Sequence, residues 1–404
     1  MIVGVIGGGA SGMAAALAAS ECPGAEVVLF ERQARLGKKL LATGNGRCNL
    51  SNTSLTAECY HGENAAFASA ALKAFSVDAT LAWFRKLGLY TVAEESGRVY
   101  PYSDQANSVV DVLRFALEKP NICQRTGFEV RKIRREGAGF AVTDGVESVF
   151  CDRLIVACGG LAGTKLGGSM AGYKLLAQLG HRCTRLRPTL VQLKSDWNGL
   201  VALKGVRTNC RVRILRDGEL FAQSTGELQF TDYGLSGPVI FEVSRDVCYG
   251  AGSWCADLDF LPDMDEAALK TELCRRRETQ LPADELLTGI LHNRLGRVLA
   301  KAAGIRDKKF ISELTAEELD AVCAAVKGFI VELTEPMGMD CAQVTAGGVL
   351  TADFDPNTME SKLVSGLYAC GEVLDIDGDC GGYNLQWAWS SGRLAGLSAG
   401  KESV

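Results

Sequence analysis

Residues 2–31 read IVGVIGGGASGMAAALAASECPGAEVVLFE, and this stretch decides the fold. An apolar β-type run at residues 2–6 leads into a glycine-rich turn, then into small helix-favouring residues, and finally into a second apolar run at residues 25–31. This order predicts a strand–helix–strand unit with parallel strands and a right-handed crossover. We therefore expect an α/β fold with a Rossmann-like parallel sheet.

The turn carries the spacing G-x-G-x-x-G at residues 7–12. The first glycine permits a tight turn, the second lets the backbone approach a pyrophosphate, and the third lets helix and strand pack closely. The start of the helix adds positive partial charge for the phosphates. Glu31 ends the second strand, where a carboxylate can accept hydrogen bonds from both ribose hydroxyls. The combination favours FAD or NAD over NADP.

Composition excludes several classes of protein. The chain has 404 residues, of which 47% are hydrophobic and 23% charged, as in globular proteins. Its formal charge of -5 lacks the basic excess of nucleic-acid binders, so we expect a small-molecule substrate and no nucleic acid. The 15 cysteines are odd in number and show no C-x-x-C spacing, and the three histidines show no ligand spacing, so no metal site is expected.

The sequence also bears on location. The N-terminus has no basic region, and no apolar stretch reaches the roughly 18 residues that a membrane span needs. We therefore expect neither a signal peptide nor a membrane span, and the cysteine usage fits a reduced, cytoplasmic protein. The oligomeric state cannot be read from the sequence.

A change in the sequence pattern divides the chain. Helical spacing at residues 65–86 and 111–118 gives way after Pro188 to short strands, two of them joined by the hairpin signal Asp217-Gly218. A charged helical stretch follows at residues 265–328, with a capping box at Thr315. A glycine-rich pattern typical of α/β domains then returns at residues 344–349. We predict a nucleotide-binding domain in two segments, residues 1–186 and 341–404, split by an inserted domain at residues 187–340.

A polar glycine turn at residues 43–49, TGNGRCN, follows Lys38 and Lys39. Such a loop could wrap a pyrophosphate and present Asn, Arg and backbone N–H groups to a flavin, or it could be an ordinary Asn-Gly turn beside solvated lysines. Cys48 lies in this electropositive loop, where its thiolate would be favoured, but no partner thiol is near it in the sequence, so buried packing is favoured over a redox role.

Two late apolar runs end in glycine, at residues 154–160 and 367–372. Glu372 follows the second run, where a carboxylate would point into the crevice at the sheet's carboxyl edge and could bind the ribitol chain. The segment at residues 381–389 passes from glycines into a helix whose N-terminus would face the pyrimidine edge of a flavin. No second G-x-G-x-x-G follows a strand, so a nicotinamide donor would share the substrate cleft.

Several further motifs carry a family resemblance. They are residues 37–49 (GKKLLATGNGRCN), 97–101 (GRVYP), 235–238 (LSGP), 358–362 (TMESK) and 381–386 (GGYNLQ). Together with the glycine fingerprint they resemble the family of FAD-dependent oxidoreductases that includes the bacterial aminoacetone oxidases and the 3-dehydro-bile-acid reductase BaiN. The resemblance covers nearly the whole chain. It implies a glutathione-reductase-type FAD domain, split by an inserted module of a β-barrel and helices.

The resemblance also implies where non-covalent FAD binds, with the pyrophosphate at residues 7–12 and the isoalloxazine at Asn384 and Leu385. Members often carry Thr-His before the LSGP segment, whereas this chain has Thr231-Asp232-Tyr233-Gly234, which puts a histidine acid in doubt. The residues expected at the cofactor are Gly7, Gly9, Ala10, Ser11, Gly12, Glu31, Arg32, Lys38, Lys39, Asn45, Gly46, Arg47, Cys48, Asn49, Val130, Cys158, Gly159, Gly160, Gly371, Glu372, Asn384, Leu385 and Gln386.

Three functions remain open at this point. The leading one is a reductase in which NAD(P)H reduces FAD, and the flavin passes hydride to a double bond conjugated to a carbonyl, as in a 3-oxo-Δ4 steroid or bile-acid-like molecule. The second is an oxidase of a small amine such as aminoacetone, with oxygen as acceptor. The third is a non-catalytic FAD-binding protein. As proton donors we expect Tyr233 or Tyr383, because a phenol can protonate an enolate-like carbon or hold its oxygen.

Overall fold

The computed structural model describes residues 1–305 and 309–401. Residues 306–308 of the predicted helical stretch and residues 402–404 of the predicted last segment lie outside this description. The chain divides into two compact units, the first formed by Met1–Pro188 with Gln343–Val404 and the second by Thr189–Ala342.

The elements follow one another along the chain. Up to residue 189 the strands are β1 (Ile2–Ile6), β2 (Glu26–Glu31), β3 (Ser51–Asn52), β4 (Tyr60–His61), β5 (Thr91–Ala93), β6 (Arg98–Pro101), β7 (Ile122–Thr126), β8 (Lys132–Glu136), β9 (Gly139–Thr143), β10 (Ser148–Cys151), β11 (Arg153–Val156) and β12 (Arg187–Thr189). The α-helices of this segment are α1 (Ala10–Ser20), α2 (Ala68–Ala74), α3 (Val77–Lys86), α4 (Ala106–Ala116) and α5 (Ala171–Ala177).

The strands and α-helices of the second unit are β13 (Leu193–Lys194), β14 (Arg207–Arg216), β15 (Glu219–Phe230), β16 (Gly234–Ser236), β17 (Trp254–Asp259), β18 (Phe329–Leu333), α6 (Leu200–Leu203), α7 (Pro238–Val243), α8 (Glu266–Arg275), α9 (Asn293–Ala302) and α10 (Ala316–Lys327). The chain then returns to the first unit with β19 (Val344–Ala346), β20 (Leu367–Ala369), β21 (Asp377–Gly378) and α11 (Tyr383–Gly400).

The first unit is built on a five-stranded sheet in the order β20-β11-β1-β2-β7. Its neighbouring strands are all parallel, so the strand–helix–strand prediction for β1, α1 and β2 is confirmed. Helix α11 packs against α1 through glycines, because a Cβ at Gly392 would overlap the carbonyl oxygen of Ser11, and one at Gly396 would overlap that of Ala15. Close contact between these two helices holds the end of the chain against its beginning.

One helix prediction needs correction. The apolar spacing at residues 65–86 predicted a single helix, but the structure breaks it between α2 and α3. Phe75 leaves the helical conformation, and the Ser76 side chain accepts a hydrogen bond from the N–H of Ala79, which starts α3. A serine in this position favours a new helix start over continuation.

The second unit contains an antiparallel sheet in the order β13-β16-β15-β14-β17-β18. Its two end strands meet, because the N–H of Lys194 donates to the carbonyl of Glu335 (2.8 Å) and the N–H of Thr334 donates to that of Lys194 (3.0 Å). The sheet therefore closes into a small barrel, with α8, α9 and α10 in the same unit. Asp217 and Gly218 both have positive φ, as the predicted hairpin requires, and Thr315 forms the predicted capping box. The fold class is confirmed.

The described residues also bear on membrane spans and metal sites. In that part of the chain no single helix is long and apolar enough to cross a membrane. A bent pair, Ala65–Ala74 with Val77–Lys86 at 46°, meets the length and composition test only when taken together. The same residues contain no group of three or more His, Cys, Asp or Glu side chains arranged to hold a metal ion.

Candidate cofactor site

The three glycines of the fingerprint have different surroundings. Gly7 has a φ of +111°, and a Cβ there would overlap the carbonyl oxygen of Ala157 at the end of β11. A Cβ at Gly12 would overlap the carbonyl oxygen of Gly7. At Gly9, by contrast, a Cβ would meet no atom of the described residues within 4 Å. The first and third glycines therefore serve packing, while the second leaves an open cradle beside the backbone.

Helix α1 begins at this cradle. The N–H of Met13 makes the first helical bond, to the carbonyl of Gly9 (2.9 Å), and among the described residues no side chain caps the helix and no acidic residue lies in its first turn. The N–H groups of the first turn therefore keep their capacity for an outside acceptor. A pyrophosphate fits this place, since it supplies both acceptor oxygens and negative charge.

Glu31, at the end of β2, closes the cradle on one side. Its Oε2 accepts the N–H of Gly8 (2.7 Å), and its Oε1 accepts the N–H of Gln33 (2.7 Å). Each carboxylate oxygen retains a second lone pair, which a ribose hydroxyl can use. Glu31 is thus a structural residue of the glycine turn as well as the predicted ribose ligand, a double role that its position alone did not reveal.

Glu372, after β20, lies in a polar network. Its Oε2 pairs with Nζ of Lys39 (2.9 Å), and its Oε1 accepts the N–H of Thr345 (2.8 Å). A Cβ at Gly160 would stand 2.5 Å from Oε1 of Glu372, so the glycine makes room for the carboxylate. The side chains of Lys39 and Glu372 are 31% and 20% exposed, so both present surface to a bound molecule. The structure thereby brings together residues that the sequence places 333 positions apart.

The loop at residues 43–49 bends through left-handed backbone. Gly44, Asn45 and Gly46 have φ values of +56°, +55° and +86°, and both Asn45 and Gly46 are exposed. Arg47, predicted near the flavin, instead bonds Asp104 and Glu94 (3.0 Å) and lies 3.9 Å over the Tyr100 ring. Its hydrogen bonds to Asp104 and then Glu94 raise the pKa of the guanidinium. These contacts fix the loop, and the contact of Arg47 with a flavin stays a prediction.

The two cysteines of the candidate site are packing residues. Cys48 is fully buried, and burial raises the pKa of its thiol to about 12. Burial likewise raises the pKa of Cys158 to about 12, and its thiol donates to the carbonyl of Ile6 (3.5 Å). Buried packing, the favoured alternative for Cys48, agrees with the structure, because desolvation raises the pKa of the thiol and the hydrogen bond with Thr43 lowers it only in part.

One buried acceptor is left without a partner at the start of α11. In the described part of the chain Asn49 Oδ1 is shielded from solvent and has no hydrogen-bond donor. It lies beside Gly382, where a Cβ would stand 2.8 Å from it. An orphaned acceptor is costly to bury, and because this oxygen is sealed from solvent it does not itself face the site. What fits FAD is the open cradle at Gly9 together with the partly exposed Lys39–Glu372 pair.

The side-chain amides of Asn384 and Gln386, at the start of α11, make hydrogen bonds to other groups of the protein. Asn384 accepts the N–H of Gly378 (2.8 Å) and donates to its carbonyl (2.7 Å). Gln386 is fully buried, accepts from Ser51 (2.7 Å), and donates to Thr80 (2.8 Å) and other acceptors. A residue that contacts a cofactor should show surface in a structure without that cofactor. Gln386 shows none, so we assign it to positioning α11, while the partly exposed Asn384 and Leu385 stay predicted cofactor contacts.

The remaining predicted contacts are placed as follows. Arg32 donates to the carbonyl of Gly167 (2.6 Å), and Lys38 is exposed. Val130 is 6% exposed. Two of the other predicted contacts, Ala10 and Gly159, are partly exposed, and three, Ser11, Gly160 and Gly371, are buried. Their contacts with a cofactor stay predictions.

The two predicted proton donors lie in different units. Tyr233, in the second unit, is 37% exposed, and burial raises its pKa. Tyr383 begins α11 in the first unit, and burial, as the main cause, raises its pKa to about 12. Both phenols hold their protons at neutral pH, which a donor requires.

Three residues near the candidate site were not predicted from the sequence: Thr345, His61 and Asp379. Thr345 accepts the N–H of Ala162 (2.9 Å) through its hydroxyl and supports Glu372 through its backbone. His61 Nε2 lies 2.6 Å from Asp379 Oδ1, although 318 positions separate the two residues. No spacing in the sequence signals such pairs, because only the folded sheet brings them together.

Comparison with known proteins gives concordant results. A family model described as "HI0933-like protein Rossmann domain" matches residues 1–398. A 3-dehydro-bile acid delta(4,6)-reductase of Clostridium scindens is 40% identical over 403 residues, which cover 98% of each chain. A ribosomal RNA dihydrouridine synthase of Escherichia coli is 32% identical over 393 residues, which cover 96% of this chain and 95% of the relative.

Among solved structures, the 3-ketosteroid delta1-dehydrogenase of Sterolibacterium denitrificans, in complex with 1,4-androstadiene-3,17-dione, matches with a TM-score of 0.53. The alignment covers 98% of this chain and 99% of that one at 12% identity, a likeness that concerns the fold alone. The predicted enzyme class, an FAD-dependent oxidoreductase, is confirmed. With a family model and two relatives that each span nearly the whole chain, the protein belongs to the HI0933-like family.

Proposed function

We propose that this enzyme uses NAD(P)H to reduce a carbon–carbon double bond conjugated to a carbonyl, in a small 3-oxo-Δ4 steroid or bile-acid-like substrate. The names of two relatives support the chemistry. The two double bonds, Δ4 and Δ6, of a 3-oxo-Δ4,6 steroid and the C5=C6 bond of uracil are all conjugated to a carbonyl. Reduction of each bond requires a hydride at one carbon of the conjugated system and a proton at another.

The observation that carries the proposal is the cradle at residues 7–12 with its matching carboxylates. The first turn of α1 and the open space at Gly9 would hold the pyrophosphate, Glu31 the ribose, and Glu372 with Lys39 the ribitol side. When bound, FAD supplies the hydride transfer. Because the sequence contains one dinucleotide fingerprint, the nicotinamide donor and the substrate would use the same cleft in turn.

Charge and identity favour a small substrate over RNA. The chain carries 43 basic against 48 acidic residues, while RNA binding draws on a basic surface. Its identity to the bile-acid reductase is 40%, against 32% to the ribosomal RNA enzyme. Uridine in RNA is the second candidate substrate, because that relative aligns over 95% of its own length.

Anaerobic half-reactions test the proposal. The purified holoenzyme is mixed with NADH or NADPH, and loss of the oxidised-flavin absorbance is followed. The reduced enzyme is then offered a 3-oxo-Δ4 steroid, a ribosomal RNA transcript or buffer. Reoxidation by the steroid alone is the expected result, and reoxidation by the transcript alone would reassign the substrate.

The same preparation tests the two other functions. Hydrogen peroxide formed from aminoacetone and oxygen, without a nicotinamide, would identify an amine oxidase. Flavin that no donor reduces and no acceptor reoxidises would identify a binding protein. Either result would contradict the reductase.

A further inference from the structure

A short two-stranded sheet stands against the start of α11. It is formed by β4 and β21, which pair antiparallel with Asp377 opposite His61. Asn384 ties this sheet to α11, since its side-chain nitrogen donates to the carbonyls of Gly378 (2.7 Å) and Asp379 (3.3 Å). The imidazole of His61 and the carboxylate of Asp379 meet on this sheet, with Nε2 2.6 Å from Oδ1.

The pair is accessible as well as ordered. The side chains of His61 and Asp379 are 30% and 46% exposed. Within residues 1–305 and 309–401, Nδ1 of His61 has no hydrogen-bond partner and is not sealed from solvent. One ring nitrogen is thus held by a carboxylate while the other stays available. This is the arrangement by which a carboxylate orients a histidine for acid–base catalysis.

The other titratable groups around His61 include two phenols. Tyr60 donates its hydroxyl to the carbonyl of Tyr383 (3.0 Å), and burial raises the pKa of Tyr60 and raises that of Tyr383 to about 12. Both phenols keep their protons at neutral pH, so Tyr383 remains the alternative acid. The other ionisable neighbours, on the same loops and on the paired strand, are Cys59, Glu63, Asp375 and Asp377. Histidine is the residue type that ordinarily exchanges protons near neutral pH.

We propose that His61, oriented by Asp379, is the acid that protonates the substrate carbon. The role rests on the proposed function, and it places the acid at the turn where the sequence predicts the flavin. Hydride from the cofactor, reduced beforehand by NAD(P)H, forms the new bond at the β-carbon, and the electron pair of the double bond shifts toward the carbonyl. The N–H bond of the His61 imidazolium then breaks as a C–H bond forms at the α-carbon. Water reprotonates the neutral imidazole, and Asp379 acts as a positioning residue.

The test separates the two half-reactions in four holoenzymes: wild type, His61→Gln, Asp379→Asn and His292→Gln. His292 is an exposed histidine of the second unit, and its replacement serves as the matched control. FAD content and reduction by NAD(P)H should be equal in all four. Reoxidation by the steroid enone should slow by on the order of 10²-fold or more in His61→Gln, less in Asp379→Asn, and not in the control.

A rescue experiment distinguishes proton donation from a structural role. In His61→Gly, added imidazole should restore at least about tenfold in the reoxidation rate, and Asp379→Glu should recover more activity than Asp379→Asn. A wild type that no enone reoxidises would contradict the proposed function. A wild type that is reoxidised at the same rate as His61→Gln would overturn the role of His61 alone and return the acid to Tyr383, Tyr233 or water.

Discussion

The two ends of the candidate cofactor site are built in opposite ways. At the glycine turn, partners lie near one another in the chain, as with Gly8 and Glu31, which are 23 positions apart. At the second end, Gln386 in the first turn of α11 bonds Ser51 from 335 positions away, and Glu372 after β20 bonds Lys39 from 333 positions away. A local motif can specify the first end by spacing alone. The second end exists only once the parallel sheet and the α1–α11 contact have formed.

A pair of matched substitutions gives the largest effects and tests the first end. Valine at position 12 would overlap the carbonyl of Gly7, whereas valine at position 9 enters open space. We expect Gly12→Val to lose at least about 3 kcal/mol of unfolding free energy, or to fail to fold. Gly9→Val should fold as a colourless apoprotein, because its side chain fills the place of the pyrophosphate. Thermal unfolding and bound-FAD absorbance measure the two effects, and FAD retained by Gly9→Val would place the pyrophosphate elsewhere.

The second end is tested by Gln386→Leu. The buried amide satisfies Ser51, Thr80 and Ser390, so its loss leaves several buried polar groups unpaired. We expect the free energy of unfolding to fall by about 2 to 4 kcal/mol, with weaker FAD binding as a consequence. Gln223→Leu, on an exposed position of β15, should stay within about 0.5 kcal/mol of wild type. Equal stability of both variants would contradict the assigned network.

The same contrast explains what the sequence could predict. The turn at Gly7, the open space at Gly9 and the close approach of Gly12 to Gly7 follow from backbone geometry within one turn, so their spacing was sufficient, whereas the packing of Gly7 against Ala157 depends on β11. The ion pair of Arg47 with Asp104 and the complete burial of Cys48 could not be predicted from spacing, because both depend on distant segments. Residue type and spacing indicate which groups are near a cofactor. They do not indicate which way each side chain turns, and this direction decides its chemistry.

Glu31→Gln tests the predicted ribose contact at the first end, and its expected effect is smaller. The amide keeps the size of the side chain but can no longer offer acceptors at both positions, where the N–H groups of Gly8 and Gln33 already bind. We expect FAD affinity to fall by about 1.5 to 3 kcal/mol, or roughly 10- to 100-fold. Titration of apoprotein with FAD measures it. Glu26→Gln, at the exposed start of the same strand, is the control, and an equal affinity in both variants would move the ribose away from Glu31.

The smallest effect concerns the buried histidine His181, whose side chain contacts residues distant in sequence from it and from the glycine fingerprint. His181 is 4% exposed, stacks on Phe354 with ring centroids 4.7 Å apart, and has Nε2 3.0 Å from the Ser361 hydroxyl. Burial lowers its pKa, and the Asp353 carboxylate, 3.6 Å from Nδ1, opposes this only in part. The folded protein therefore binds fewer protons at this site than the unfolded chain.

Stability should consequently be fully present above the ordinary histidine pKa of about 6.5 and decline as the pH falls below it toward the lowered value. Each unit by which the pKa is lowered contributes up to about 1.4 kcal/mol. Urea unfolding of wild type, His181→Gln and His292→Gln at several pH values between 7.5 and 5 measures the slope. The slope should flatten in His181→Gln and not in the control His292→Gln, which replaces an exposed histidine. Parallel curves for wild type and His181→Gln would show that burial of this imidazole does not govern acid stability, and the decline would then belong to the carboxylates.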